Sequence, residues 1–262
     1  MSDENPHSAA KAGKPAAAPD QAGFMILAQA RSGSTFLREA LNDQPEIVCH
    51  GEVFSRVWIS RMEPQAGAEP APAEEIRRIM PERDADPLRF LQDHIYAFPG
   101  QITGFKVIYE DFFHDGLSEI LADHARTRGL RIYHLRRLNP VAALASRMRM
   151  ARYQLSHSDA PGAQQDPNTV GKLKMEPAAL ARYTSWQNDL ASRVDALFPD
   201  AMQIRYETLA QDFPRILADL GLPDRRAFGS ALRKMTPQNL EDAIENYGDV
   251  AAYDHPAQPI WN

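Results

Sequence analysis

The residues best suited to do chemistry near the start of the chain are five small or polar ones, RSGST at 31–35. They follow the apolar run FMILAQA and lead into an amphipathic stretch, a pattern that predicts a buried strand, a loop and a helix. Unpaired amides and the dipole at a helix N-terminus both favour an anion. The segment therefore predicts either a phosphate-binding loop that carries Arg31 or an ordinary strand–helix turn of small residues.

The same segment departs from the nucleotide-binding pattern G-x-x-x-x-G-K-[ST]. Alignment of AQARSGST with that pattern places Gly33 at the second glycine, Ser34 at the lysine and Thr35 at the final Ser/Thr. The lysine that holds the β- and γ-phosphates is thus missing, although Arg31 supplies a cation within the loop. The loop suits an anion but lacks the usual means of holding a nucleoside triphosphate with magnesium.

A second group of cations occurs in LRIYHLRRLNPVAALASRMRM at 130–150. Arg136 and Arg137 end a predicted strand, and Asn139 fits the N-cap of the helix that follows. Ser146 lies two turns into that helix. These groups either clamp a second phosphate through charge-assisted hydrogen bonds or form a solvated basic edge that pairs with surface acids.

Short apolar runs alternate with helical periodicity along the chain. This alternation predicts an α/β fold with three layers, in which a central, mainly parallel sheet of about five strands is flanked by helices. Ligands of such sheets lie at the carboxyl ends of the strands. The strands are predicted at 24–30, 46–50, 102–109, 130–135 and 201–206, and the helices at 34–43, 115–128, 139–155, 177–198 and 208–220.

Composition divides the rest of the chain. Residues 1–22 are rich in Ala and Pro without an apolar block, which predicts a disordered leader, and 23–262 is predicted as a single domain. The Pro-rich, charged stretch at 61–87 predicts a lid or insertion that extends over about 56–98. A second mobile loop is predicted at 156–172.

Charge and cysteine content exclude several classes of protein. A formal net charge of −6 provides no basic excess for binding nucleic acid or a membrane surface. The single cysteine, Cys49, excludes an internal disulfide and fits a reducing compartment, and no Cys/His cluster has zinc-site spacing. No run approaches the ~20 apolar residues of a bilayer span. We therefore expect a cytoplasmic protein with no integral membrane segment and no metal.

The order of three motifs resembles that of the sulfotransferases that use 3′-phosphoadenosine 5′-phosphosulfate (PAPS). RSGST resembles their loop for the 5′-phosphosulfate, RRLNPVAALAS their clamp for the 3′-phosphate, and RYETLAQDFPRILADLGLP their segment before a helix that ends in L-G-L-P. GFKVIYE and KMTPQNLEDAIENYGDV are similar to the bacterial branch with nodulation-factor and glycolipid sulfotransferases. The resemblance spans residues 24 to about 250 and implies a P-loop-like fold.

The resemblance implies how the donor would bind. Arg137 and Ser146 would hold the 3′-phosphate, with Arg136 as the alternative because Leu138 stands where many relatives have an arginine. Tyr206 would pack against adenine, unless its ring belongs to the core. The phosphosulfate would lie on the loop residues Arg31, Ser32, Gly33, Ser34, Thr35 and Phe36.

Three further residues are candidates for the chemical step. Lys106 corresponds to a strand lysine of the family that assists the sulfuryl or phosphate oxygens, unless it merely extends to solvent from its strand. Glu52, directly after the second predicted strand, is the first choice for the general base, with capping of local amides as its structural alternative. His114 is the second choice for the base.

The predicted activity is transfer of a sulfuryl group from PAPS to a hydroxyl of a glycan, a glycolipid or a small alcohol. A P-loop-type kinase and a catalytically inactive nucleotide-binding relative remain alternatives. No nucleic acid partner is expected, and a homodimer stays open.

Overall fold

The protein is described here by a computed structural model that covers residues 23–64, 69–98, 101–153, 171–223 and 239–255. The leader predicted at 1–22 and most of the loop predicted at 156–172 lie outside the described residues.

A five-stranded sheet forms the centre of the fold, with the strand order β2-β3-β1-β4-β5. Every neighbouring pair of strands is parallel. The predicted fold class, an α/β fold with a central parallel sheet flanked by helices, is confirmed. The strands are β1 (Gly23–Ala28), β2 (Ile47–Glu52), β3 (Ile102–Ile108), β4 (Arg131–Arg136) and β5 (Met202–Arg205).

The helices cover both faces of this sheet. Those that the periodicity predicted are present within one or two residues of the expected bounds, and a short additional helix, α4, follows β3. The helices are α1 (Ser34–Asn42), α2 (Ala73–Ala85), α3 (Pro87–Phe90), α4 (Tyr109–Phe112), α5 (Leu117–Arg128), α6 (Pro140–Tyr153), α7 (Pro177–Leu197) and α8 (Leu209–Asp219).

The segment predicted as a lid or insertion contains α2, α3 and a π-helical turn at Leu91–Ile95. Ile79 and Phe90 from this segment are buried in the same apolar cluster as residues of the sheet. The helices were not predicted because Pro81 interrupts the pattern inside α2 and charged residues surround it. Closure of this segment over a ligand stays a prediction.

Alternating side chains of β1 build two cores, one on each face of the sheet. Met25 and Leu27 pack on one face, with residues of α2, α5 and α7. Phe24 and Ile26 pack on the other face, against α1 and α8. Burial on both faces explains why β1 is an unbroken apolar run rather than an alternating one.

The strand order creates a crevice at one edge of the sheet. β1 lies between β3 and β4, so the connections that leave β1 and β4 turn toward opposite sides of the sheet. Such a switch point is where open α/β sheets bind ligands, outside the carboxyl ends of the strands. The RSGST loop follows β1, and Arg137 follows β4.

A buried histidine fixes the chain just before the end of β2. The Nδ1 atom of His50 accepts a hydrogen bond from the amide of Glu63 at 3.0 Å, and its Nε2 lies 3.2 Å from the carbonyl oxygen of Ile95. A neutral ring with its proton on Nε2 satisfies both contacts. Burial lowers the pKa of His50 from 6.5 to about 3.

Because burial lowers the pKa of His50, we expect the protein to lose stability in acid. The unfolded chain takes up the proton first, so the contribution of the neutral ring is complete above about pH 6.5 and is lost as the pH falls toward 3. The expected slope for this one group is up to about 1.4 kcal/mol per pH unit. Urea unfolding of the wild type and of His50→Gln between pH 7 and pH 4.5 measures it, and equal slopes for the two proteins would contradict the prediction.

Candidate active site

The loop after β1 leaves the start of α1 without a side-chain cap. Arg31 and Gly33 have positive φ angles of 68° and 83°. A Cβ atom at Gly33 would lie 2.5 Å from Cδ2 of Tyr206, so both the φ angle and the close ring require glycine. Because the residue at the N-cap is glycine, it contributes no side chain to the first-turn amides of α1, which are left for an anion.

The ammonium group of Lys106 is buried directly beside this loop. Its Nζ atom lies 2.8 Å from Thr35 Oγ1, 3.4 Å from Ser34 Oγ and 3.1 Å from Glu52 Oε1. Burial lowers the pKa of Lys106, and the neighbouring Glu52 carboxylate opposes that change. The structure therefore brings Lys106, Glu52 and the loop together, and Lys106 does not extend into solvent, while the roles of Lys106 and Glu52 in the chemical step stay predictions.

Glu52 is the last residue of β2 rather than the residue after it. It pairs with Lys106 across a register shift that begins after Cys49. The chain then folds back tightly, with the amide of Gly51 donating to the carbonyl of Arg61 at 2.8 Å. A Cβ atom at Gly51 would lie 2.1 Å from the carbonyl oxygen of Ser60, so glycine is needed for this close approach. The turn holds the Glu52 carboxylate, whose side chain is 29% exposed, beside the loop.

Two arginines lie next to each other at the loop, Arg31 within it and Arg137 against it. Arg31 Nε donates to Ser146 Oγ at 3.3 Å, which joins the loop to α6. Arg137 Nη1 lies 3.5 Å from the carbonyl oxygen of Arg31, and its guanidinium stacks 4.5 Å from the ring centre of Tyr206. Burial lowers the pKa of both arginines.

The two arginines at the end of β4 point in different directions. Arg136 Nη2 donates to Asn188 on α7 at 3.1 Å, away from the loop. The Arg137 amide donates to Gln29 Oε1 at 3.0 Å, and the Arg137 side chain turns toward the loop. The geometry favours Arg137 over Arg136 as the ligand for a phosphate, and that role stays a prediction.

Unsatisfied polar atoms remain in this crevice. Within the described residues, Ser32 Oγ and Arg137 Nε are buried without a hydrogen-bond partner. Leaving a buried polar group unpaired costs about 1–3 kcal/mol, and more for a charged group. An anionic ligand that accepts from both groups would remove that cost. The residues present thus fit a phosphate-containing ligand.

Other predicted residues lie near the loop or apart from it. Tyr206 covers Gly33 and stacks on Arg137, so its ring belongs to the crevice rather than to the deep core. Phe36 packs against the apolar cluster under α1. His114 lies beyond α4, and its Nε2 contacts Asp115 at 3.0 Å with 43% of the histidine side chain exposed. The contacts of His114 with described residues do not reach the loop.

Sequence reasoning missed two residues that hold this site in place. Glu207 Oε1 accepts hydrogen bonds from the amides of Leu138 and Asn139, at 2.9 and 3.0 Å, and so fixes the turn after Arg137. Gln29 donates to Tyr183 Oη at 3.2 Å while accepting from Arg137. The available signal was a polar residue within two positions of the end of a strand. The predicted N-cap is confirmed, because Asn139 Oδ1 accepts from the amide of Ala142 at 2.9 Å.

The described residues contain no group of three or more His, Cys, Asp or Glu side chains arranged to hold a metal ion. None of the described helices combines the length and the apolar character that crossing a membrane requires.

Comparison with known proteins gives distant structural similarities. No family model matches the sequence, and no curated protein is similar to it. A sulfotransferase from Alicyclobacillus acidocaldarius is similar with a TM-score of 0.49 and 18% identity, over 88% of this chain and 92% of that one. Mouse sulfotransferase SULT7A1, complexed with PAP, is similar with a TM-score of 0.40 and 10% identity, over 92% and 78%.

The tunicamycin resistance protein of Deinococcus radiodurans is similar with a TM-score of 0.37 and 16% identity, over 77% of this chain and 96% of that one. None of these distant similarities assigns an activity to the chain. An activity has to be inferred from the geometry of the chain's own side chains.

The two hydrogen bonds to Glu207 predict a measurable effect on stability. Glu207→Ala leaves the amides of Leu138 and Asn139 without this partner, and we expect the free energy of unfolding to fall by about 1 kcal/mol. Glu207→Gln keeps an accepting oxygen and should lose less. Urea denaturation measures both, with the exposed Glu241→Ala as a control expected within about 0.5 kcal/mol of wild type. A Glu207→Ala variant as stable as that control would contradict the prediction.

Proposed function

We propose that this protein transfers a sulfuryl group from PAPS to a hydroxyl acceptor. The observation that carries the proposal is the convergence of three cations, one buried and two partly buried, on an uncapped helix N-terminus. Arg31 belongs to the RSGST loop, and Lys106 on β3 and Arg137 after β4 both contact that loop. Burial lowers the pKa of each, which means that each charge is held at a cost that a bound anion would offset.

The number of these groups supports a ligand with two anionic groups. The loop amides, Arg31 and Lys106 would bind the 5′-phosphosulfate. Arg137 and Ser146, which adjoin the loop through their contacts with Arg31, would bind the 3′-phosphate. Tyr206, stacked on Arg137, offers an aromatic surface for the adenine. Ser32 Oγ would find in the phosphate the partner that the described protein residues do not provide.

The reaction requires one proton transfer and one exchange of bonds at sulfur. The Glu52 carboxylate takes the proton of the acceptor hydroxyl while the hydroxyl oxygen forms its bond to sulfur. The bond between sulfur and the bridging phosphate oxygen breaks, and its electron pair stays on the leaving 3′-phosphoadenosine 5′-phosphate (PAP). Lys106 and the loop amides stabilise that negative charge, and Glu52 later releases its proton to water.

The position of Lys106 favours sulfuryl transfer over a magnesium-dependent kinase. In the G-x-x-x-x-G-K-[ST] pattern, the hydroxyl at the position of Thr35 binds magnesium. Here that hydroxyl accepts a hydrogen bond from the Lys106 ammonium at 2.8 Å. A fixed ammonium therefore faces the place where a kinase directs a metal ion, and it can neutralise a leaving phosphate directly.

The role of Glu52 predicts a loss of turnover without a loss of donor binding. Glu52→Gln cannot take the acceptor proton, so we expect turnover to fall by about 10²–10⁴ while PAP affinity stays within a few-fold. Mass spectrometry of a cell extract treated with enzyme and PAPS, scored for products that gain SO₃, measures turnover. His114→Ala is the comparison variant. An active Glu52→Gln together with an inactive His114→Ala would assign the base to His114 instead.

The clamp at Arg137 predicts selectivity for the 3′-phosphate. Adenosine 5′-phosphosulfate carries the same reactive group as PAPS but lacks that phosphate. An arginine–phosphate hydrogen bond is worth roughly 1.5–3 kcal/mol, or about one to two decades in affinity. Calorimetry in EDTA should show that Arg137→Ala weakens PAP by that factor and hardly changes adenosine 5′-phosphosulfate. Wild-type protein should bind PAP in EDTA more tightly than it binds ATP in a separate titration with magnesium and no EDTA.

Arg136→Ala is the matched control, because Arg136 is the neighbouring arginine and contacts Asn188 instead of the loop. It should bind both nucleotides like the wild type. Equal weakening of both nucleotides by Arg137→Ala would mean that this residue only supports the fold. Tighter binding of ATP with magnesium than of PAP would overturn the proposed function.

A further inference from the structure

A second group of polar side chains lies beside the donor crevice and has no part in the mechanism above. We call it the α4–α7 cluster. Glu110 belongs to α4, directly after β3, and Arg147 to α6, next to Ser146. Tyr183, Trp186 and Gln187 lie within one turn of each other on α7. Three elements thus contribute to one polar region.

Direct contacts hold most of this cluster together. Arg147 Nη1 donates to Glu110 Oε1 at 2.7 Å, and the Arg147 guanidinium stacks 5.3 Å from the ring centre of Trp186. The rings of Tyr183 and Trp186 pack edge to face at 6.3 Å. The ion pair leaves the cluster without net charge, since Glu110 and Arg147 neutralise each other.

The cluster contains polar atoms that lack a partner within the described part of the chain. Glu110 Oε2 is one, and both the oxygen and the nitrogen of the Gln187 amide are buried and unpaired. Gln187 is only 5% exposed. Each unpaired group carries a cost of about 1–3 kcal/mol. An amide and a carboxylate oxygen without partners are expected where a ligand supplies them.

The cluster is linked to the donor site through a short chain of hydrogen bonds. Tyr183 Oη accepts from Gln29 Nε2 at 3.2 Å, and Gln29 Oε1 accepts from the Arg137 amide at 3.0 Å. Arg147 directly follows Ser146, which binds Arg31. A molecule bound at the cluster would therefore lie next to the donor rather than at a remote surface.

We propose that the α4–α7 cluster is the acceptor subsite and that it selects a neutral, hydroxyl-rich ring such as a sugar or a cyclitol. This inference rests on the proposed function. Hydroxyl groups both donate and accept, so a polyol can donate to Glu110 Oε2 and to the Gln187 oxygen while accepting from the Gln187 nitrogen. Trp186, which is 39% exposed, offers a flat apolar surface for the C–H face of the ring.

The alternatives within the same reaction class fit this cluster less well. A phenol or a fatty alcohol has a single hydroxyl proton to donate, so at least one of the two unpaired oxygens would stay buried without a partner, which is unfavourable. A charged acceptor would find no free opposite charge in the cluster, because Arg147 and Glu110 already pair with each other. A site that hydrogen-bonds its substrate discriminates strongly against a molecule that lacks the matching groups. An apolar pocket discriminates only weakly against a molecule that carries an extra hydroxyl.

The test uses the full chain saturated with PAP and four polyol probes: maltose, sucrose, methyl α-glucoside and myo-inositol, with 4-nitrophenol for comparison. We expect saturable binding of at least one polyol and weaker binding of 4-nitrophenol. Gln187→Leu and Trp186→Ala should each weaken that polyol about tenfold while PAP affinity stays within twofold. In sulfuryl transfer to the same polyol, KM should rise about tenfold and kcat change less than threefold.

The matched control is Gln211→Leu, which makes the same change at an exposed glutamine of α8, a helix that packs on the other face of the sheet from α4. It should leave polyol binding unchanged. Because Trp186 is partly exposed, Trp186→Ala tests the subsite even where Gln187→Leu does not fold. Two results would overturn this inference and leave the proposed function standing. Either the protein binds PAP but none of the four polyols saturably, or it binds PAP and prefers 4-nitrophenol to the polyols. Absence of PAP binding instead contradicts the proposed function.

Discussion

The burial of the Lys106 ammonium is the constraint on which the site depends. A lysine that is 2% exposed at the end of an inner strand must have its donors satisfied by the protein. The strand order β2-β3-β1 supplies these partners, since it places the end of β2 and the start of α1 on either side of β3. Glu52 comes from one side and Thr35 from the other. The small polar residues of the loop are thus required by a charge on another strand.

The same constraint explains why the positive charges are concentrated although the chain is acidic overall. The chain carries a net charge of −6, whereas the partly buried Arg31 and Arg137 lie at the switch point with the buried Lys106. Burial disfavours the charged form of each, and Glu52 offsets this for Lys106 and Arg31. Because water is largely excluded from these cations, an anion bound among them gains more interaction energy than it would at a solvated surface.

The sequence predicted the fold and the loop cations because both are local patterns. Apolar runs and helical periodicity located the strands, and glycine with an N-cap asparagine located the starts of α1 and α6. Partners far apart in sequence were not predictable in this way. Gln29 and Tyr183 are separated by 154 positions, and Glu207 contacts the turn after Arg137 from the short 3-10 turn that follows β5. His114 was chosen for its closeness to Lys106 along the chain, but α4 lies between them.

The position of α7 links these distant parts. Along α7, Tyr183 contacts the loop after β1, and Asn188 contacts Arg136 at the end of β4. Further along, Asp195 contacts His134 in the middle of β4, so the helix runs antiparallel to that strand. Asp195 binds His134 at 2.8 Å, and His134 binds Tyr109 at 2.5 Å. Burial lowers the pKa of His134, which favours a neutral ring bridging the two. Because Tyr109 begins α4, this buried chain sets the orientation of the helix that carries Glu110. The donor loop and the α4–α7 cluster are therefore held by one rigid helix, which sets the distance between them.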